Sequence, residues 1–146
     1  MQAVDSSLKE VRFRMAGVML DQMPAVGSRN HLKEVRVSVP QNWAQFKEQT
    51  KDNQFTKEGQ ELIAKIDKQM ASLPPFFEKL EAAYSDGDKA KVAPLLEDEW
   101  PPIQGGVLKP LSQLVPLQEA AAKATYEGSV AAGRKMLTLA GVLAAV

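Results

Sequence analysis

Three of the five arginines in this sequence lie beside apolar residues at helical spacing, where they could bind an anion. Arg12 and Arg14 flank the apolar positions of the first predicted helix, and Arg36 borders those of the second. An arginine stays charged at ordinary pH and binds a carboxylate through two parallel hydrogen bonds. Arginines in such places also cover apolar surface while their charged ends stay in water, so both interpretations stay open.

The start of the last predicted helix supplies the residues that could complete such a site. Trp100 and Gln104 stand one helical turn apart, and Pro101 and Pro102 interrupt the backbone ladder between them. We expect free backbone N–H groups at this interruption. The resulting hypothesis is that Arg12, Arg14 or both hold a small carboxylate, that Arg36 assists, and that Trp100 and Gln104 close the pocket.

The residue types needed for common catalytic and metal chemistry are missing or badly spaced. The chain has no cysteine, a single histidine, His31, and no phosphate-binding glycine loop. Glu97, Asp98 and Glu99 are consecutive, so on a helix they point about 100° apart and cannot converge on one atom. We therefore expect no enzymatic activity, no metal site and no cofactor. The balance of 18 basic and 18 acidic residues gives no reason to expect nucleic acid as a partner.

Apolar residues recur at steps of three and four along four segments, which is the spacing of one helix face. The first segment has Val4, Leu8, Val11, Met15 and Val18, and the second has Leu32, Val35, Val39, Trp43, Phe46 and Thr50. The third has Leu62, Ile66, Met70, Leu73, Phe77, Leu80 and Tyr84, and the fourth has Trp100, Ile103, Val107, Leu111 and Leu114. This pattern predicts four amphipathic helices that share one core.

Turn residues divide the four segments. Residues 23–30, 51–54 and 85–89 carry the proline, glycine, asparagine and aspartate that end or cap helices. Pro40 predicts a kink or a restart in the second segment, and Pro74 and Pro75 predict a kink in the third. The last helix is expected to begin near Pro101, after a short helix over 89–99. The one candidate strand, 35–39, is short.

Short connections between four helices favour antiparallel neighbours. The sequence therefore predicts an all-α fold: an antiparallel up-down-up-down four-helix bundle, with residues 1–146 in a single domain. The apolar end from Met136 to Val146 is either a packed helix end or the start of a truncated transmembrane helix, and we favour the second interpretation. No signal peptide is recognisable at the amino terminus.

The sequence resembles the extracytoplasmic four-helix-bundle ligand-binding domain of bacterial methyl-accepting chemotaxis receptors. The resemblance rests on VRFRMAGVMLD at 11–21, NWAQFKEQ at 42–49 and, above all, YSDGDKAKVAPLLEDEWPPIQGGVLKPLSQL at 84–114. The apolar carboxyl-terminal end, like the start of a second transmembrane helix, completes it.

The resemblance implies a homodimeric sensor in the periplasm, joined to the inner membrane by flanking spans that this chain lacks. It also implies that first-helix arginines and polar groups near the start of the fourth helix bind ligand carboxylates. Arg12 and Arg14 lie in the matching part of the first helix, and Trp100 and Gln104 in that of the fourth. A threonine of the aspartate receptors is replaced near Pro102, which argues against amino acids as ligands and leaves other carboxylates open, such as di- or tricarboxylic acids and aromatic acids. The alternative function is a helical adaptor that binds a partner protein in a groove lined by Phe76 and Met70.

Overall fold

The computed structural model describes the backbone of residues 1–145 and the side chains of residues 1–127. Over this range all regular structure is helical. The α-helices are α1 (Gln2–Met19), α2 (Ala25–Thr50), α3 (Lys57–Met70), α4 (Leu73–Asp86), α5 (Lys89–Pro94), α6 (Trp100–Ile103) and α7 (Lys109–Ala145). Two π-helical segments, Leu95–Glu99 and Gln104–Leu108, connect α5 to α6 and α6 to α7. The prediction of an all-α fold is confirmed.

The predicted apolar positions form the core. Every such position of α1 and α2 is buried, and so are those of the last helix from Trp100 to Leu114. In the third segment Leu62 and Met70 are half-buried and the others are buried. α1 packs along α2, α2 along α4, and α3 along α7, so these faces meet in a single core.

α2 is longer than the sequence predicts and is a single uninterrupted helix. It begins at Ala25, and Pro40 lies inside it without ending it. The predicted boundary over 23–30 is therefore too long, and the candidate strand at 35–39 is wrong. Val35 and Val39 lie one turn apart on the buried face, so tertiary packing overrides the strand preference of valine.

The third predicted helix is two helices rather than one kinked helix. α3 ends at Met70, Ala71 and Ser72 form a turn, and α4 restarts at Leu73 with the two prolines in its first turn. Proline at the start of a helix loses no hydrogen bond, because the first N–H groups have no intrahelical acceptor. The interruption therefore precedes the prolines instead of falling on them.

Helix caps lie at Thr56, Gly87 and Asp88, and the last two fall in the predicted turn at 85–89. The Thr56 hydroxyl accepts a hydrogen bond from the Gly59 N–H at 3.2 Å and caps α3. Gly87 ends α4 in the left-handed conformation, with φ of 65°, and the Asp88 carboxylate then caps α5 by accepting from the Ala90 N–H. Only glycine adopts such a φ without strain, which explains the sharp end of α4.

The last helical stretch begins at Lys89 and not near Pro101. It runs without a loop through the two π segments into α7. Its buried residues step by five from Leu95 to Trp100, and after Ile103 both Val107 and Leu108 are buried. A π turn contains about one more residue than an α turn, so the first π segment returns the apolar face to the core after a five-residue step and the second brings two adjacent residues into the core.

Candidate functional site: a cationic cleft between α1 and the π segments

A cleft of about 930 Å³ opens between α1 and the first half of the last helical stretch. Its size lies within the range of about 300–1,000 Å³ that is common for small-molecule sites. Eight residues line it: Lys9, Arg12, Phe13, Leu96, Glu97, Trp100, Pro101 and Gln104. Three of the five residues predicted to bind ligand, namely Arg12, Trp100 and Gln104, therefore meet in one cleft.

Helical spacing places the side chains on the α1 wall. Lys9 and Phe13 are one turn apart, and Arg12 lies three residues after Lys9, so all three share a face. Phe13 is 62% exposed, although it is a large apolar side chain. This wall therefore offers an aromatic surface beside two cations.

The opposite wall is built by the first π segment and α6. Glu97 and Pro101 are one turn apart, as are Trp100 and Gln104, and both pairs reach the cleft. Gln104 is exposed, whereas Trp100 is only 3% exposed and packs against Phe76 with ring centroids 6.0 Å apart. The Trp100 indole N–H is buried without a hydrogen-bond partner, so Trp100 contributes a wall and not an accessible donor.

Free backbone N–H groups were expected beside the prolines, but those of Trp100 and Gln104 have acceptors. The Trp100 N–H donates to the Leu95 carbonyl, and the Gln104 N–H donates to the Pro101 and Trp100 carbonyls. Proline lacks an N–H, so it removes donors and leaves carbonyl acceptors unmatched. Any hydrogen bond that the cleft donates to an anion must therefore come from side chains.

The charges in the cleft are unevenly paired. Lys9 forms an ion pair with Asp5 at 2.8 Å. Among the described side chains, no carboxylate lies within ion-pair distance of Arg12, and no cation lies within that distance of Glu97. The exposed Arg12 guanidinium thus keeps all its donors available, while Glu97 opposes the binding of an anion nearby.

Arg14 lies on another side of α1, within a partly buried polar cluster. Its guanidinium is 3.8 Å from the Glu10 carboxylate, and its Nε is buried without a hydrogen-bond partner. His31 of α2 contacts the same Glu10 carboxylate, and its Nδ1 is also buried without a partner. Tyr84 of α4 adds a buried, unpartnered hydroxyl, and burial raises the pKa of this phenol.

Sequence reasoning missed this polar cluster because a lone histidine carries no pattern that places it beside side chains of other helices. Burial is the main cause that lowers the pKa of His31 below its ordinary value of 6.5. Arg14 lowers this pKa further, whereas Glu10 and Glu34 raise it. Desolvation disfavours the charged imidazolium, so burial outweighs the neighbouring carboxylates. The available signal was the position of His31 one residue before the buried Leu32.

Arg36 also lies away from the cleft. It is half-exposed, forms an ion pair with Glu81 of α4, and lines a separate cavity between α2 and α4. The adaptor groove predicted around Phe76 and Met70 does not form as such. Phe76 is 4% exposed and belongs to the core, whereas Met70 lines the same cavity as Arg36.

The remaining cleft residues carried weak signals in the sequence. Lys9 and Phe13 could have been found from their helical spacing with Arg12, but one-turn spacing is common on any helix. The side chains of the acidic residues 97–99 do not point at one atom, as predicted. Glu97 faces the cleft, whereas Glu99 forms an ion pair with Lys79 at 2.9 Å. Among residues 1–127, no group of three or more metal-ligating side chains comes together.

The comparisons with known proteins give no assignment. Neither the protein-family models, nor the curated proteins, nor the solved structures include a match to this chain. In the described part of the chain no helix is long and apolar enough to cross a membrane. The predicted transmembrane start at 136–146 lies outside the residues whose side chains are described.

Proposed function

We propose that this chain is a sensor domain that binds a small organic carboxylate in the cleft between α1 and the π segments. The observation that carries the proposal is the Arg12 guanidinium, which has no ion-pair partner among the described side chains and lines a cleft of about 930 Å³ together with Gln104. A carboxylate gains charge-assisted hydrogen bonds from such a group, and those bonds offset the cost of removing it from water. A di- or tricarboxylic acid fits best, because one carboxylate can bind Arg12 and a second can compete with Asp5 for Lys9, whose ion pair lies at the surface and is weak.

A second ligand class is favoured by Phe13. Its exposed ring beside Arg12 would stack on an aromatic acid, with the carboxylate on the guanidinium. The two ligand classes share the carboxylate contact and differ in the part that packs against the cleft wall.

The test is a thermal-unfolding screen with matched acids and amides. Succinate, citrate and benzoate are compared with succinamide and benzamide, which have similar shapes but no charge. An acid at 100 times its dissociation constant stabilises the folded chain by about 2.7 kcal/mol. We expect at least one acid to raise the unfolding temperature and its amide to leave it unchanged. The proposal fails if the whole panel has no effect, or if amides act as strongly as acids.

We also propose the up-down-up-down arrangement of an antiparallel four-helix bundle, with α3 and α4 forming one rod and residues 89–145 another. Contacts between chain-distant residues support it. Lys89 pairs with Asp21 at 2.6 Å near one end, and the Gln54 N–H donates to the Thr125 hydroxyl at 3.1 Å near the other. The chain has no native cysteine, so Gln54→Cys with Thr125→Cys should form a disulfide on mild oxidation. Failure of this pair to cross-link would contradict the arrangement.

We further propose that the domain works in the periplasm as a homodimer of an inner-membrane chemoreceptor. Phe13 of α1, Leu20 directly after α1 and Tyr126 of α7 are large apolar side chains that are 62–70% exposed, which supports association through these two helices. Ligand binding would then shift α1 against the last helix, a displacement that flanking spans could transmit. Sedimentation at high concentration with the stabilising acid should show a dimer. A monomer under those conditions would contradict this part of the proposal.

A further inference from the structure

A second cavity, separate from the cleft, lies between α2 and the junction of α3 with α4. Its volume is about 400 Å³. The two-residue turn at Ala71 and Ser72 creates it, because the helix wall is interrupted there. The backbone at this turn is satisfied: the Ser72 N–H and hydroxyl both bond to the Gln69 carbonyl, at 3.0 and 2.6 Å.

The walls of the cavity are mostly apolar and include two aromatic rings. Trp43 and Phe77 are buried, at 3% and 2% exposed, and Val39 and Met70 adjoin them. The indole N–H of Trp43 donates to the Asp67 carboxylate at 3.0 Å. The polar atom of Trp43 is therefore occupied, and its ring is what an occupant of the cavity meets.

The two cations at the cavity are already neutralised. Arg36 pairs with Glu81, and Lys47 pairs with Asp67 at 2.6 Å. A charged ligand would have to break one of these ion pairs or lose its hydration without compensation. Charge complementarity thus selects a neutral occupant, in contrast to the Arg12 cleft.

From these observations we propose that the cavity binds a small neutral aromatic molecule, such as toluene or benzyl alcohol. An apolar cavity of about 150 Å³ already admits benzene, so 400 Å³ holds a substituted ring. Indole, phenyl and thioether groups on the walls offer edge and face contacts that favour a ring over an aliphatic chain. The proposal is independent of carboxylate binding, because it uses different residues on a different pair of helices.

Nuclear magnetic resonance of the whole ¹⁵N-labelled chain tests the proposal with a local probe. The chain has two tryptophans, so its spectrum has two indole N–H signals, and Trp100→Phe assigns them. We expect toluene and benzyl alcohol to move the Trp43 signal in a saturable way and to leave the Trp100 signal in place. Benzoate should not move the Trp43 signal. An acid bound in the Arg12 cleft would move the Trp100 signal, so the failure of either proposal is recognised separately.

Filling the cavity provides the second arm of the test. Ala44 and Ala71 line it, and Ala44→Leu or Ala71→Leu should weaken benzyl alcohol binding by about tenfold or more. Ala64→Leu on the exposed face of α3 is the matched control and should bind like the parent. Circular dichroism shows whether each variant is folded. If one of the two cavity-filling variants does not fold, the other is used for the test.

Three results would overturn the proposal. One is a Trp43 signal that does not respond to either neutral compound at its solubility limit. Another is parent-like binding in both cavity-filling variants. The third is a benzoate-induced shift of the Trp43 signal as large as that of benzyl alcohol, because the cavity would then not exclude charge.

Discussion

Arg12 differs from its neighbours on α1 in having no anionic partner within the described side chains. Lys9 pairs with Asp5 and Arg14 approaches Glu10, so the charge of each is partly compensated inside the protein. An exposed guanidinium beside an exposed Phe13 is left for an external group. Glu97, the one acidic residue of the same cleft, then sets the strength of anion binding by repulsion.

Removing the Glu97 charge should strengthen binding of the acid that stabilises the parent. Glu97→Gln keeps the size of the side chain and removes a repulsion worth about 0.5–1 kcal/mol at a hydrated surface. The dissociation constant should fall about two- to fivefold. Calorimetry measures it, with Asp98→Asn, the change at the next residue, as the control. Weaker binding to Glu97→Gln would mean that Glu97 contacts the ligand as an acceptor.

The position of a site residue could be predicted only where the geometry of a single helix determines which way its side chain faces. Arg12 and Arg14 are two positions apart, about 200° on a helix, so they could not both face one cleft. The sequence does not say which of them faces α2 and which the cleft, because both flank the same apolar face. Trp100 and Gln104 are one turn apart, which explains why they were correctly paired.

The two π segments determine how the last helical stretch reaches the cleft. Each accommodates one extra residue, and between them they orient Trp100 and Ile103 to the core and Pro101 to the surface. Steps of three and four residues conceal the π segments in the sequence. The apolar residues from Trp100 to Leu114 fit an ordinary helix if Val107, and not Leu108, is taken as the core position. The five-residue step from Leu95 to Trp100 was the signal for the first π segment, whereas the second left no such signal, because Val107 lies four residues after Ile103 and is buried.

The glycine pair in the second π segment gives a matched test of this local packing. A methyl group at Gly105 would meet nothing within 4 Å, whereas one at Gly106 would lie 3.2–3.3 Å from the Gln69 side chain. Gly105→Ala should therefore stabilise the chain by about 0.5–1 kcal/mol, through the lower chain entropy of the unfolded state. Gly106→Ala should gain less, because Gln69 must move. Urea unfolding measures both, and a larger gain for Gly106→Ala would contradict the packing described.

At the scale of the whole molecule, the described residues combine an apolar core with a partly buried polar cluster across α1, α2 and α4. The all-α class was predictable, because four apolar stripes need only periodicity along the chain. The cluster of Arg14, His31 and Tyr84 was not, because it depends on which faces of three separate helices meet. Polar groups that lack some of their hydrogen bonds lower the stability of the folded chain when their charge changes.

This cluster predicts how stability depends on pH. The folded pKa of His31 lies below its ordinary value of 6.5, so the unfolded chain binds more protons near and below that pH. Stability should be full above about pH 6.5 and fall as the pH decreases below it. Asp67, whose pKa the Lys47 and Trp43 hydrogen bonds lower from 3.8, acts only at more acidic pH.

His31→Gln should reduce this dependence. Glutamine can still donate to Glu10 but does not titrate. Thermal unfolding at pH 7.5 and 5.5 should show a smaller loss for the variant than for the parent. An equal loss in both proteins, or a parent that is more stable at pH 5.5, would contradict the assignment to His31.

Calorimetric titration of Arg12→Gln tests the central claim most directly. The titrant is the acid of the succinate, citrate and benzoate panel that most stabilises the parent, and Arg14→Gln is the matched variant on the other side of α1. We predict that Arg12→Gln loses about 1.5–3 kcal/mol, which is more than tenfold in affinity, because a charged hydrogen-bond donor is removed. Arg14→Gln should bind within about twofold of the parent. Parent-like binding by a folded Arg12→Gln variant would contradict the proposal that this cleft binds carboxylates.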